Sequence, residues 1–167
     1  MDEQTRPTSV SMPEKLDGGA SGPMDVRVWL RMLSCSMTIE KMLRRNFQDQ
    51  FNTTLPRFDV MASLNRHPEG QTMGQLSRAL LVSNGNVTAI VRQLQEQGLV
   101  EARADPEDRR SSIVELSAAG KAQFDLLAAA HHRWIAEVFA DVGVEDQAQL
   151  YGLLATLKAS IAGKGQG

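Results

Sequence analysis

The feature that most constrains the fold is a change of hydrophobic period near Gly98. Before this glycine, apolar residues recur every three to four positions, which is the spacing of helices that bury one face. After it, the pattern shortens toward the alternation of strands over 99–103 and again over 112–116, as in a hairpin. Helical spacing returns beyond Gly120. The chain is therefore predicted to be mainly α, with one small β-hairpin.

Six helices are predicted from the apolar stripes and their flanking residues. The first begins near Asp25, and the second begins around Pro56, a residue suited to a first helical turn. A short third helix spans 73–80, and Ser83 caps a fourth that ends at Gly98. The fifth and sixth helices carry two apolar stripes: Phe124, Leu127, His131, Trp134, Ile135 and Val138, then Leu150, Leu153, Leu154, Leu157 and Ile161.

The composition agrees with packed helices and excludes wholesale disorder. Hydrophobic residues make up 42% of the chain, but aromatic residues only 5%, which disfavours a sheet rich in aromatic side chains. The single cysteine cannot close a disulfide within the chain, and this fits a reducing compartment. The beginning of the chain lacks a basic and apolar leader, and no run of about 18 apolar residues occurs. We therefore expect a cytoplasmic protein without a membrane segment.

The third helix, the turn at Leu81-Val82 and the fourth helix predict a helix-turn-helix, and the hairpin that follows makes it a winged one. Small polar residues at the start of the fourth helix leave it free to enter a major groove and to offer amide groups to bases. One turn further, Arg92 can reach phosphate or guanine. Ordinary helix-start chemistry is the alternative explanation for the asparagines. The DNA-binding residues predicted on this helix are Ser83, Asn84, Asn86, Thr88 and Arg92.

The tip of the hairpin carries Arg109 and Arg110 among acidic residues. A solvated loop that neutralises its own charge is one explanation of this pattern. Directly after a helix-turn-helix, however, an arginine at a hairpin tip is well placed for a narrow minor groove. The chain has 18 basic and 20 acidic residues, so binding has to depend on a few placed arginines. We therefore predict that Arg109 and Arg110 contact double-stranded DNA.

Taken in order, these motifs resemble the MarR family of bacterial transcription regulators. The resemblance spans about 25–162 and is most specific at Leu76-Ser77, 82–88, Leu94, 98–100, 105–110 and 116–120. It implies an obligate homodimer in which two winged domains bind a palindrome. It also implies that Arg110, in the wing motif that begins at Asp108, is the minor-groove residue. Arg92 and Gln93 depart from the acidic and basic pair that family members often have there, so an acidic partner for the wing arginine is missing.

The domain organisation follows from the tail composition and from this resemblance. Residues 1–23 are rich in Gly, Ser and Pro and lack a sustained apolar period, which predicts a flexible tail. Residues 24–50 and 119–162 are expected to form a helical dimerisation region. Residues 51–118 are expected to form the winged helix-turn-helix domain.

The resemblance also implies a small effector. Members of the family usually release DNA when an aromatic or phenolic molecule enters the crevice between the dimer body and the winged domain. The segment 55–59 resembles regulators of aromatic-acid catabolism, some of which sense a CoA thioester. We therefore expect a repressor that a small aromatic acid or its CoA thioester releases from DNA. The candidate ligand residues are Trp29, Met32, Phe58, Met61, His131 and Trp134, with Arg57 and Arg66 as carboxylate partners. Most of them also suit core packing.

Other function classes have weaker support. Cys35 is a lone cysteine within the first helix, and a redox-sensing regulator is the alternative that it suggests. No enzyme is expected, because the chain lacks a nucleophile elbow, a phosphate loop and paired catalytic carboxylates. No metal or cofactor is expected either, since the adjacent His131 and His132 point in different directions on a helix. A third class is a winged domain that binds only protein. Such a domain would bind DNA duplexes neither specifically nor with a steep dependence on salt.

Overall fold

The computed structural model describes residues 22–106, 108 and 111–164, the last of these by its backbone alone. The chain divides into two compact units, Met1–Leu55 and Pro56–Gly167. Arg109, Arg110 and nearly all of the predicted tail 1–23 lie outside the described residues.

The described part of the first unit is dominated by one long helix, α1 (Met24–Phe51). Along it, Leu43 and Phe47 are buried, while Glu40 and Arg44 form an ion pair one turn apart on the exposed side. The helix ends at Asn52, whose φ of 47° lies in the left-handed region that asparagine tolerates. The predicted first helix is confirmed.

The second unit carries the other helices and all the strands. Its elements begin with α2, whose first residue precedes the unit boundary: α2 (Leu55–Arg66), β1 (Gln71–Thr72), α3 (Met73–Leu80), α4 (Asn84–Glu96), β2 (Val100–Ala104), β3 (Ser112–Leu116), α5 (Ala118–Val138) and α6 (Val144–Lys164). The predicted helices and the hairpin are therefore present in the predicted order. The wing strands β2 and β3 pair antiparallel, with Val100 opposite Leu116.

The sequence analysis missed strand β1, which pairs antiparallel with β3 and gives the sheet order β1-β3-β2. Two residues are too few to show an alternating pattern, so only pairing with β3 defines this strand. Gln71 also accepts a 2.8 Å hydrogen bond from the buried hydroxyl of Ser63. This contact ties α2 to the sheet and satisfies two buried polar groups.

The core of the winged part is formed by the apolar stripes of α3 and α4 and by the sheet. Its buried members include Leu76, Val87, Val91, Leu94, Val100 and Val114. Because the apolar residues of α4 are buried on one face, the polar residues of the same helix point to solvent.

Helix α5 begins at Ala118, one residue before the helical region predicted from residue 119. Ser117 caps the helix by accepting a 3.0 Å hydrogen bond from the N–H of Gly120. A Cβ atom on Gly120 would lie 1.8 Å from the carbonyl oxygen of Leu99. The glycine therefore allows a close approach between the start of α5 and the backbone at Leu99.

Helix α6 differs from the other helices of the second unit, because every side chain described from 144 to 163 is exposed. Its exposed large apolar residues are Val144, Leu150, Tyr151, Leu153, Leu154, Leu157 and Ile161. Among the described residues, no helix is long and apolar enough to cross a membrane.

Candidate nucleic-acid interface

Hydrogen bonds hold both ends of α3. At its start, Thr72 and Gln75 form a reciprocal capping box. At its end, Leu81 adopts a left-handed φ of 55°, and the hydroxyl of Ser77 donates to the carbonyl of Val82 at 2.5 Å. The turn is therefore held by defined contacts, and α4 starts at a defined place.

The start of α4 presents polar side chains to solvent. Ser83 caps the helix by accepting a 3.4 Å hydrogen bond from the N–H of Asn86, and the hydroxyl of Thr88 donates to the carbonyl of Asn84 at 2.8 Å. Helix-start chemistry thus accounts for Ser83, whereas the side chains of Asn84 and Asn86 are exposed. Val87 lies between these residues and is fully buried, so the orientation of the polar face is set by the core.

Arg92 lies one turn beyond Thr88 and is exposed. Its Nε atom is 3.3 Å from Oε1 of Glu96 on the same helix. An exposed pair of this kind contributes at most about 1 kcal/mol. Arg92 can therefore exchange this partner for a phosphate at little cost.

The base of the wing is held by Arg103 of β2. Its Nη2 donates a 3.0 Å hydrogen bond to the carbonyl of Glu69, and its Nε lies 3.8 Å from Glu115 on β3. The sequence analysis missed this residue, because its partner is a backbone carbonyl 34 positions away and leaves no side-chain pattern. Arg109 and Arg110, at the predicted tip, lie outside the described residues.

Two of the predicted effector residues meet in an aromatic stack. The ring of Phe58 on α2 lies 4.9 Å from the ring of His131 and 5.8 Å from that of Phe124, both on α5. Phe124 was not among the predicted site residues, although it is on the same helical stripe. Burial, with a smaller contribution from His132, lowers the pKa of His131 below its ordinary value. The imidazole is therefore mainly neutral at pH 7 and acts as an aromatic surface.

The other predicted effector residues differ in their exposure. Met61 and Trp134 are buried in the core, and Arg66 is exposed at the end of α2, about 13 Å along the helix axis from Arg57. In the first unit, the side chain of Trp29 is exposed and that of Met32 is half-buried.

Arg57 bonds to the end of α4. Its Nη2 donates to the side-chain oxygen of Gln97, the C-cap residue of that helix. Its Nε is buried and has no hydrogen-bond partner within the described part of the chain. Desolvation by burial lowers the pKa of the guanidinium.

The remaining predictions about chemistry concern metal ligands and the cysteine. Over 22–106, 108 and 111–164, no three His, Cys, Asp or Glu residues are grouped so that they could hold a metal ion. Cys35 is exposed on α1 and is a free cysteine.

Comparison with known proteins agrees with this geometry. A sequence profile described as the MarR family matches residues 51–111. An HTH-type transcriptional regulator of Bacillus subtilis, YkoM, is 32% identical over 116 residues, which cover 69% of this chain and 73% of that protein. The transcriptional activatory protein BadR of Rhodopseudomonas palustris is 28% identical over 135 residues, 78% of this chain and 77% of BadR. The crystal structure of a MarR family transcriptional regulator from Silicibacter pomeroyi superimposes with a TM-score of 0.70 at 32% identity, covering 82% and 94% of the two chains.

The winged helix-turn-helix and the exposed polar start of α4 define a DNA-binding transcription regulator. The relatives reported above then narrow this class of protein to one family. It belongs to the MarR family, whose members are transcription regulators and not enzymes.

Proposed function

We propose that this regulator is a cytoplasmic homodimer that represses transcription from a palindromic operator and is released by a small aromatic acid or its CoA thioester. The observation that carries the DNA-binding part is the start of α4, where Asn84, Asn86 and Thr88 are exposed above a fully buried Val87. Amide side chains in this position can bond to base edges in a major groove. Arg109 and Arg110 add the contacts of the wing.

Dimerisation is supported by the face of α6. A helix of 21 residues with all its described side chains exposed in the single chain has to be covered by another surface. A two-fold dimer would cover it with its own copy and would place two α4 helices on half-sites about 10 base pairs apart.

The DNA-binding part is tested by selecting duplexes from a random pool and measuring affinity by fluorescence anisotropy. We expect a near-palindromic sequence, bound at least about 1000-fold more tightly than a scrambled duplex, with affinity that falls steeply with salt. Equal affinity for selected and scrambled duplexes would contradict the proposal and favour a winged domain that binds protein.

The effector part is supported by the stack of Phe58, Phe124 and His131 and by the buried Nε of Arg57, which has no hydrogen-bond partner among the described residues. A thermal-shift screen of benzoate, hydroxybenzoates and their CoA thioesters tests it. A ligand at about 100 times its dissociation constant adds roughly 2.7 kcal/mol to the free energy of unfolding. A hit is then checked for release of the selected duplex.

The direction of regulation and the redox alternative need separate assays. Transcription in vitro from a promoter that contains the selected site should fall when the protein is added; a rise, in line with the name of BadR, would contradict repression. Hydrogen peroxide should leave operator affinity unchanged. Release by peroxide that the Cys35→Ser variant abolishes would favour the redox mechanism.

A further inference from the structure

Arg57 joins the beginning of α2 to the end of α4. Its guanidinium donates to Gln97, which is 40 residues away in sequence. Directly after Gln97 the chain turns sharply, because Gly98 has a φ of +70° and the N–H of Leu99 donates to the carbonyl of Leu94 at 2.9 Å. Strand β2 of the wing starts at the next residue. The Arg57 contact therefore lies at the junction between the DNA-reading helix α4 and the wing.

The contact with Gln97 engages Nη2 of the guanidinium but not its Nε. Its Nε is buried and unpaired within the described residues, and an unpaired buried donor destabilises the state that contains it. Burial lowers the pKa of Arg57, yet an arginine stays cationic at neutral pH. The residue thus keeps a positive charge and one donor that lacks an acceptor.

A carboxylate is the acceptor that matches this arrangement. It binds a guanidinium through two parallel hydrogen bonds, and on the edge that contains Nε the second donor is Nη2. Nη2 is the atom that donates to Gln97. A charged carboxylate oxygen accepts more strongly than the neutral amide oxygen of a glutamine.

We propose that the hydrogen bond from Arg57 to Gln97 holds the C-terminal end of α4 in its DNA-binding position, and that a carboxylate bound at Arg57 replaces Gln97 and releases this end. The inference rests on the proposed function for DNA binding and adds the residue pair that links the effector to DNA. Because coupling between two ligands is reciprocal, breaking the pair has opposite consequences for them. DNA binding weakens, whereas carboxylate binding becomes tighter because Arg57 no longer has to give up Gln97.

The first experiment needs no small molecule. Affinities for the selected and the scrambled duplex are measured for the full chain and for Gln97→Ala, Gln97→Glu and Gln95→Ala. Gln95→Ala is the matched control, since it removes an exposed glutamine from the same helix end. We expect Gln97→Ala to bind the selected duplex about fivefold more weakly, as for the loss of one hydrogen bond, without weaker binding to the scrambled duplex. Gln97→Glu retains an acceptor for Arg57 and should keep tight binding. Equal affinities for Gln97→Ala and Gln95→Ala would overturn the positioning role.

The second experiment adds sodium benzoate at constant ionic strength, with uncharged benzamide as the control of the same shape. Benzoate should weaken binding of the wild-type protein to the selected duplex, and benzamide should not. In Gln97→Ala the benzoate effect should shrink, and calorimetry should show benzoate bound more tightly than to the wild type. Benzoate that leaves the wild-type affinity unchanged, or that acts equally on Gln97→Ala, would overturn the release step. A wild-type protein that prefers no duplex would instead contradict the proposed function itself.

Discussion

Helix α4 exposes a polar face to solvent, whereas α6 exposes an apolar stripe together with the rest of its described side chains. The face of α4 carries Asn84, Asn86 and Thr88, while its apolar stripe is buried in the winged core. Helix α6 buries none of its described side chains, and its apolar stripe remains uncovered in the single chain. Polar groups in water are already hydrated, whereas exposed apolar area costs about 25 cal/mol per Å² relative to burial. The exposed face of α4 is therefore stable in water without a partner, whereas the proposed dimer would stabilise α6 by covering its apolar stripe.

The difference teaches that the two surfaces act in sequence. In the proposed homodimer, an apolar interface forms during folding and assembly, and it determines the spacing of the two α4 helices. The polar surface then binds and releases DNA reversibly, mainly through placed side chains and electrostatic contacts. Four predictions test this division, from the largest expected effect to the smallest.

A charge in the apolar stripe of α6 should have the largest effect. Leu154→Glu places a carboxylate in the interface twice, once from each copy of a two-fold dimer. We expect a monomer by sedimentation at micromolar concentration and, because avidity is lost, affinity for the palindrome at least about 100-fold weaker. Ala159→Glu is the matched control, since it lies on the opposite side of the helix. A Leu154→Glu variant that remains a dimer would show that another face mediates assembly.

One substitution, glycine to alanine, should have opposite signs in the two regions. Gly120→Ala places a methyl group against the carbonyl of Leu99 and should lower the free energy of unfolding by about 3 kcal/mol. In α6, Gly152 has no atom within 4 Å of a Cβ, so Gly152→Ala should raise it by about 1 kcal/mol. Urea unfolding of both variants and of the wild type measures these two changes in the free energy of unfolding. Equal changes would mean that α6 is packed as tightly as the winged part.

The polar face of α4 is tested by Asn86→Ala. In the proposed complex the amide of Asn86 bonds to a base edge, so its removal should weaken binding to the selected duplex by about 1–3 kcal/mol, without weaker binding to the scrambled duplex. Because the side chain is exposed, the thermal midpoint should change little. Unchanged affinity together with an unchanged selected sequence would show that α4 enters DNA in another orientation.

The smallest effects are expected at the wing tip, where Arg109 and Arg110 should differ. Arg109→Ala should weaken all duplexes alike and flatten the slope of log K against log salt by about one unit. Arg110→Ala should also lose the preference for A·T-rich over G·C-rich flanks, because a narrow groove attracts an inserted arginine. Affinities on two flanks at several salt concentrations separate these outcomes. A flank preference that survives in Arg110→Ala would remove the minor-groove assignment.

Local patterns were sufficient to predict much of the fold and part of the candidate site. The helices, the hairpin, the cap Ser83 and the exposed amides of α4 all depend on residues a few positions apart. The stack of Phe58 on His131 was predicted only as two members of a larger set, and the sequence did not show that these two rings pack on each other. Strand β1 and the role of Gly120 were missed, since both depend on distant segments of the chain.

The sequence by itself determined which faces are polar and which are apolar, because helix and strand periods convert spacing directly into sides. Tertiary structure alone decided which of those residues meet. Arg57 bonds to Gln97 across 40 residues, and Arg103 bonds to a backbone carbonyl across 34. Such contacts arise from the path of the whole chain, and a hydrogen-bond partner on the backbone has no residue type that a sequence pattern can reveal.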